Sequence, residues 1–140
     1  MMLQLQEEAG KILPKTLFKL GAADFGSTQH TPVFFQGHLY GIREKDKQLV
    51  CLDLTGRVLW SSGSQHRFGI GPYMIADGLI FVLSDEGPLT LAEATPEGYR
   101  QLAQAQPLEG HDCWGPMALA AGRLLLRDFT RMVCLDVAKE

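Results

Sequence analysis

Short apolar runs alternate with glycines and polar turns, and the same order of features recurs three times along the chain. In each copy a proline precedes an apolar run, and a glycine follows that proline after 5 or 6 residues. A second apolar run, a charged turn and a third run ending in an acidic residue then follow. The copies span residues 31–53, 71–93 and 115–136. Runs of this length between turn residues predict β-strands, with the glycine closing a tight hairpin.

Each copy therefore supplies three strands, and two copies are followed by a fourth. The first strands are Val33–Phe35, Tyr73–Ile75 and Met117–Leu119, the second are Leu39–Ile42, Leu79–Leu83 and Arg123–Leu126, and the third end at Asp53, Glu93 and Asp136. Fourth strands are predicted at Arg57–Trp60 and Tyr99–Leu102. The third copy ends without one, whereas Thr16–Leu20 forms a single strand ahead of the first copy. A repeat of four short strands is typical of a β-propeller blade.

We therefore expect an all-β fold of four-stranded antiparallel propeller blades, about three per chain. Residues 1–15 are interpreted as an N-terminal extension with a short helix over residues 3–12, ended by Pro14. Residues 16–140 form the three-blade segment. Three blades are too few for a ring, because propellers use about four to eight. A homodimer that exchanges Thr16–Leu20 would have six blades and no open sheet edge.

Two segments carry a family resemblance: residues 76–82, with the Asp77-Gly78 turn, and residues 50–60, which end in Trp60. They resemble the repeat of the quinoprotein-type, or PQQ-like, β-propellers, over roughly residues 16–137. The first copy shows the full signature, whereas the second has Leu102 where Trp60 stands. The resemblance implies that Trp60 docks one blade onto the next.

Some members of that family are dehydrogenases that hold pyrroloquinoline quinone and calcium. Others are binding scaffolds, for instance in bacterial outer-membrane protein assembly. The resemblance implies that an enzyme of this type would need a pair of adjacent cysteines, and the three cysteines here, Cys51, Cys113 and Cys134, are far apart. We therefore expect this chain to share the propeller fold of the family but not its dehydrogenase activity, and we expect no cofactor.

Charge and composition narrow the range of functions. The formal net charge is −3, and no basic run is present that would follow a nucleic-acid backbone. The apolar runs are too short to cross a bilayer. The first residues have no basic segment followed by an apolar one, so no signal peptide is predicted, and the three separate cysteines favour a cytoplasmic protein.

Function in repeat folds of this kind resides in loops, here Gly21–Thr31, Ser61–Gly71 and Ala103–Gly115, which lead to the first strands. The binding candidates in these loops are Phe25, His30, His66, Arg67, Phe68, His111, Asp112 and Trp114. Three imidazoles from successive blades suit a transition metal, so His30, His66 and His111 are also metal-ligand candidates. Their distances from the next proline differ (2, 6 and 5 residues), which favours separate roles.

We interpret the chain as a non-catalytic scaffold or binding module that acts through these loops, with an unidentified protein or small-ligand partner. The first alternative is a fragment or degenerate relative of a quinone-dependent dehydrogenase, and the second is a metal or small-ligand binder. No catalytic residue is assigned, because the neighbouring His111 and Cys113 lack an orienting third group. The sequence leaves open whether the chain is complete or part of a larger ring.

Overall fold

A computed structural model describes residues 1–26 and 29–138, and these form an all-β structure. The strands are β1 (Met2–Glu8), β2 (Lys11–Phe18), β3 (Val33–Phe35), β4 (His38–Arg43), β5 (Gln48–Leu52), β6 (Val58–Ser61), β7 (Tyr73–Ala76), β8 (Leu79–Leu83), β9 (Leu89–Glu93), β10 (Gln101–Ala105), β11 (Ala118–Ala120), β12 (Arg123–Arg127) and β13 (Met132–Asp136). The described part of the chain contains no α-helix, and so none long and apolar enough to span a membrane.

The strands form four antiparallel sheets. Sheet I has the order β3-β4-β5-β6, sheet II the order β7-β8-β9-β10, and sheet III the order β11-β12-β13. The N-terminal hairpin consists of β1 and β2. The all-β class predicted from the apolar runs is confirmed, and the first three strands of each copy lie within one residue of those predicted. The fourth strand predicted at Tyr99–Leu102 is observed two to three residues later, at Gln101–Ala105.

The predicted helix over residues 3–12 is wrong, because this segment forms β1, a turn and the start of β2. Leu3 and Leu5 alternate with glutamines, which is the period of a strand. The turn residues Ala9 and Gly10 both have positive φ (51° and 76°), as a two-residue hairpin turn requires. Strand β2 also runs across the predicted boundary between residues 15 and 16.

Sheets I and II pack face to face over a continuous apolar core. Sheet I contributes Tyr40, Ile42, Leu49 and Cys51, and sheet II contributes Tyr73, Ile80, Val82 and Ala92, with Phe68 from the loop between the sheets. Tyr40, Leu49 and Cys51 are fully buried. Side chains alternate between the two faces of a strand, so the residues of sheet II that lie between these core residues point to its other face.

That other face of sheet II packs against sheet III. The second core contains Phe81 and Leu83 from sheet II, Leu124 and Leu126 from sheet III, and Leu108 and Cys113 from the connecting loop. The three sheets are therefore stacked in chain order. The outward face of sheet III is open, and β12 alternates strictly between exposed and buried residues.

Candidate functional site

The long connecting segments, residues 62–72 and 106–117, lie at one end of the stack, which we call the loop end. Each segment leads into the first strand of a sheet, β7 or β11. The start of that strand lies beside the end of its antiparallel neighbour, β8 or β12, so the segments lie at the same end as the turns that follow β8 and β12. The candidate residues other than Phe25 and His30 lie in these two segments.

Two aspartates fasten the loop end. The carboxylate of Asp85 accepts a 3.3 Å hydrogen bond from the backbone N–H of Ile70. The backbone carbonyl oxygen of Asp85 accepts a 3.2 Å hydrogen bond from the backbone N–H of Cys113. Asp128, which is 4% exposed, accepts hydrogen bonds from the backbone N–H groups of Thr130 and Arg131 at 2.7 and 2.6 Å. These backbone donors hold the pKa of Asp128 below its usual range.

Sequence reasoning missed both aspartates, although a signal was present. Each stands two residues after the last apolar residue of a second strand, in Leu83-Ser84-Asp85 and Leu126-Arg127-Asp128. Each also lies against a glycine of the preceding loop, since a Cβ on Gly69 or Gly110 would collide with the respective carboxylate. The shared feature of the two positions is the close approach of the carboxylate to a glycine of the preceding loop.

The three candidate histidines have different surroundings. His30 Nε2 lies 2.9 Å from the carbonyl oxygen of Ile70, and its ring meets Tyr73 edge-on at 5.8 Å. His66 packs on the ring of Tyr99 at 5.0 Å. The His111 side chain is 85% exposed, with Nδ1 2.8 Å from Asp112 Oδ2. Within residues 1–26 and 29–138, no group of three or more His, Cys, Asp or Glu side chains is placed to hold a metal ion.

The other candidates divide into buried and exposed side chains. Phe68 is 3% exposed and belongs to the first core, so it is unavailable to a partner. Phe25 is half-buried and lies over Gly41, where a Cβ would come within 2.9 Å of its ring. Arg67 is exposed, and Trp114 is 42% exposed. Arg67, His111 and Trp114 are therefore the candidates that a partner can reach.

Trp60 connects sheet I to the β9–β10 turn of sheet II. Its indole Nε1 donates a 2.8 Å hydrogen bond to the carbonyl oxygen of Thr95, in the turn between β9 and β10. Its ring lies 6.1 Å from those of Tyr40 and Tyr99, at tilted angles. Aromatic pairs at such distances stabilise a fold beyond the contribution of the apolar area that they bury.

Cys51 and Cys113 are both buried. Burial raises the pKa of the Cys51 thiol, which lies opposite Tyr40. Burial and the carboxylates of Asp128, Asp85 and Asp112 raise the pKa of the Cys113 thiol. A thiol with a raised pKa remains protonated near neutral pH and is a poor nucleophile.

No protein-family model matches the sequence, and no curated protein matches it. Among solved structures, the fold is similar to that of the computationally designed Ika4 protein, with a TM-score of 0.59 over 76% of this chain and 64% of that one. It is also similar to the computationally designed Ika8 protein, with a TM-score of 0.51 over 68% of this chain and 28% of that one. Sequence identity is 9% in both cases, so the likeness concerns the fold alone. The chain thus spans less than two thirds of either designed protein.

Proposed function

We propose that the chain forms three quinoprotein-like β-propeller blades whose ring is completed by a second copy, and that it serves as a non-catalytic scaffold. In this proposal sheets I, II and III are successive blades. Partners bind at the loop end, where the loops of all blades come together.

One observation carries the ring: along the second strands, burial at equivalent positions falls where a neighbouring sheet is lacking. Tyr40, Phe81 and Leu125 occupy the same position of the second strand, each opposite the equivalent residue of the third strand. Tyr40 is fully buried under sheet II and Phe81 is 9% exposed under sheet III. Leu125, which faces outward from the last sheet, is 37% exposed.

The face of sheet I that points away from sheet II is also incompletely covered. Ile80 and Leu124 are fully buried against the preceding sheet, whereas the equivalent Leu39 of sheet I is half-buried. A cavity of about 390 Å³ lies beside Leu39, between sheet I and the N-terminal segment. The outward face of sheet III on a second copy fits this side of sheet I, because the same two faces already pack together twice within the chain. Two copies related by a two-fold axis then make six blades, within the usual range.

The binding role rests on the exposed side chains at the loop end. Trp114 and Arg67 belong to the residue types that are enriched in protein interfaces, and His111 adds a hydrogen-bonding group beside Asp112. The fastening by Asp85 and Asp128 holds the loops in place, and a rigid surface loses less conformational entropy on binding.

A comparison of two matched double variants tests this role. Arg67→Ala with Trp114→Ala removes one charged and one apolar side chain from the loop end. Leu54→Ala with Glu97→Ala does the same at the opposite end, where both residues are exposed. We expect proteins captured from a cell extract by the wild type to be retained by the second variant and lost by the first. Equal retention by both variants would contradict the proposed binding surface.

Thermal unfolding with added ligands tests the two alternatives. We expect no change in Tm with pyrroloquinoline quinone and Ca²⁺, or with Zn²⁺. A ligand that binds only the native state raises Tm by mass action. A rise with the quinone would favour a quinoprotein relative, and a rise with Zn²⁺ that is lost in His66→Ala would favour a metal binder.

A further inference from the structure

Sheet III has an unpaired edge beside an apolar groove. Within the described residues, β13 pairs with β12 alone. The groove next to it has a volume of about 330 Å³, and its apolar lining consists of Phe81, Leu89, Leu91, Ala103, Ala105, Leu135 and Val137. Strand β10 of sheet II forms one wall, and all five of its residues are exposed. The equivalent strand of sheet I, β6, is half-buried at three of its four residues.

The last residue of β2 contacts sheet I at the turn equivalent to the one that Trp60 of β6 contacts in sheet II. Trp60 of β6 reaches the β9–β10 turn of sheet II, at Thr95. Phe18 of β2 reaches the β5–β6 turn of sheet I, since a Cβ on Gly56 would lie 2.9 Å from its ring. Strand β2 is thus positioned as the fourth strand of a sheet that precedes sheet I, although β1 is its only partner strand in the described part of the chain.

The sequences of the two strands agree with this equivalence. Lys15-Thr16-Leu17-Phe18 has the same order of basic, intervening and aromatic residues as Arg57-Val58-Leu59-Trp60. Phe18 precedes Pro32 by 14 residues, and Leu102, the counterpart of Trp60 in sheet II, precedes Pro116 by 14. Pro14 lies before this segment and leaves the N–H groups of residues 15–18 in place for pairing.

Charge complementarity identifies what fits the edge of β13. In both complete sheets the acid at the end of the third strand pairs with an arginine at the start of the fourth: Asp53 with Arg57 at 3.1 Å, and Glu93 with Arg100 at 3.2 Å. The equivalent acid of sheet III, Asp136, pairs instead with Arg123 of its own sheet and is 56% exposed. A strand that begins with Lys15 would supply the basic residue that the fourth strand provides in the other two sheets.

We propose that β2 of a second copy of this chain pairs with the edge of β13 and becomes the fourth strand of sheet III. The inference rests on the two-copy ring proposed above and names the contact that closes it. The register follows sheet I, where Cys51 lies opposite Trp60. Cys134 therefore lies opposite Phe18 of the second copy, and Asp136 lies near Lys15 of that copy. Leu17 of the second copy, whose side chain points to the other face of β2, then lies over the apolar groove beside β10.

A disulfide between copies tests this register on the full chain. Directly opposed residues of antiparallel strands have Cα atoms about 4.5–5.5 Å apart, which a disulfide can bridge. We expect Phe18→Cys, oxidised with glutathione disulfide, to migrate as a covalent dimer linked through residues 18 and 134. Adding Cys134→Ser should abolish the link. Leu17→Cys is the matched control, because the adjacent side chain points to the other face of the strand. Within one chain, sheet II separates Phe18 from Cys134, so the link must join two copies.

The substitution itself could weaken folding, so a second variant keeps the inference testable. Lys15→Glu places a negative charge against the negative charge of Asp136. It should raise the dimer dissociation constant about 2- to 30-fold, because the symmetric dimer contains two such contacts and each exposed ion pair contributes about 1.4- to 5-fold. Lys11→Glu, at the other end of β2, should leave it unchanged. A dimer that fails to cross-link in Phe18→Cys and is equally insensitive to both lysine changes would overturn the strand pairing and leave a two-copy ring standing. A chain that is monomeric at all concentrations would overturn the two-copy ring as well as the strand pairing. The same would follow if a segment beyond Glu140 paired with the edge of β13.

Discussion

Trp60 Nε1 donates a 2.8 Å hydrogen bond to the carbonyl oxygen of Thr95, which lies 35 residues later and belongs to the next sheet. This bond fixes how sheet I meets sheet II, because the indole also packs between Tyr40 and Tyr99. The contact is long-range in sequence and directional, so it orients the two sheets as well as stabilising their apolar core.

Replacing Trp60 should therefore destabilise the whole stack. We expect Trp60→Ala to lower the free energy of unfolding by about 3 kcal/mol, the low end for removal of a large aromatic side chain. Trp60→Phe should cost about 1 kcal/mol, because it removes the hydrogen bond and leaves the carbonyl of Thr95 without its donor. Urea unfolding measures both. Trp114→Ala is the control and should change stability by less than about 0.5 kcal/mol. Equal costs at the two tryptophans would contradict the docking role.

Gly71 is a point of close backbone approach between the loop end and sheet II. A Cβ at this position would collide with the carbonyl oxygen of Leu83, a backbone atom that cannot move without shifting β8. We expect Gly71→Ala to cost about 3 kcal/mol, as overpacking in a rigid region does. Gly63→Ala is the matched control: the space around Gly63 is open, but its φ is 84°, and the strain should cost about 1 kcal/mol. Thermal unfolding of both variants tests this difference, and a larger loss for Gly63→Ala would contradict it.

Stability should fall in acid partly through Asp53. Hydrogen bonds from the Thr55 hydroxyl and from the backbone N–H groups of Arg57 and Thr55, with the Arg57 charge, lower the pKa of Asp53 to about 2. Because this pKa is lower in the folded than in the unfolded chain, the ionised carboxylate stabilises the fold above about pH 4. That contribution is lost as the pH falls from about 4 to about 2. A carbon-detected NMR titration should give the low pKa directly.

The variant Asp53→Asn separates this contribution from that of other carboxylates. We expect its Tm to decrease less steeply than that of the wild type between pH 4 and pH 2. Glu109→Gln, at an exposed site, serves as the control for removing a charge. Parallel Tm curves for Asp53→Asn and the wild type over this interval would refute the role assigned to Asp53.

The strands of the three copies could be predicted because each apolar run is bounded by glycine, proline or a charged turn. The N-terminal hairpin could not be predicted as reliably. Its apolar residues, Leu3, Leu5, Ile12 and Leu13, fit either a helix or a pair of strands, and a proline at position 14 is compatible with the end of a helix. The structure places Pro14 in β2, a strand in a two-stranded sheet, where a missing N–H is tolerated.

The candidate site was predicted in part. The loops themselves follow from the strand order, but the burial of Phe68 depends on the path of the loop. Its backbone N–H donates to the carbonyl oxygen of Lys47 at 2.8 Å, which fastens residues 62–72 onto sheet I. A contact between segments 21 residues apart leaves no local pattern in the sequence. Asp128 could not be identified for a related reason. The sequence alone does not distinguish an aspartate that is buried and caps a turn from one that is exposed to solvent.

The solution mass of the untagged chain, measured by light scattering over a concentration series, tests the two-copy ring most directly. The account predicts a stable species of twice the chain mass of 15.5 kDa. Deletion of residues 1–20 should remove β2 and with it the dimer, leaving monomer or aggregate with an open edge at β13. A full-length chain that remains monomeric at every concentration, or a truncated chain that remains a well-behaved dimer, would contradict a ring closed by β2.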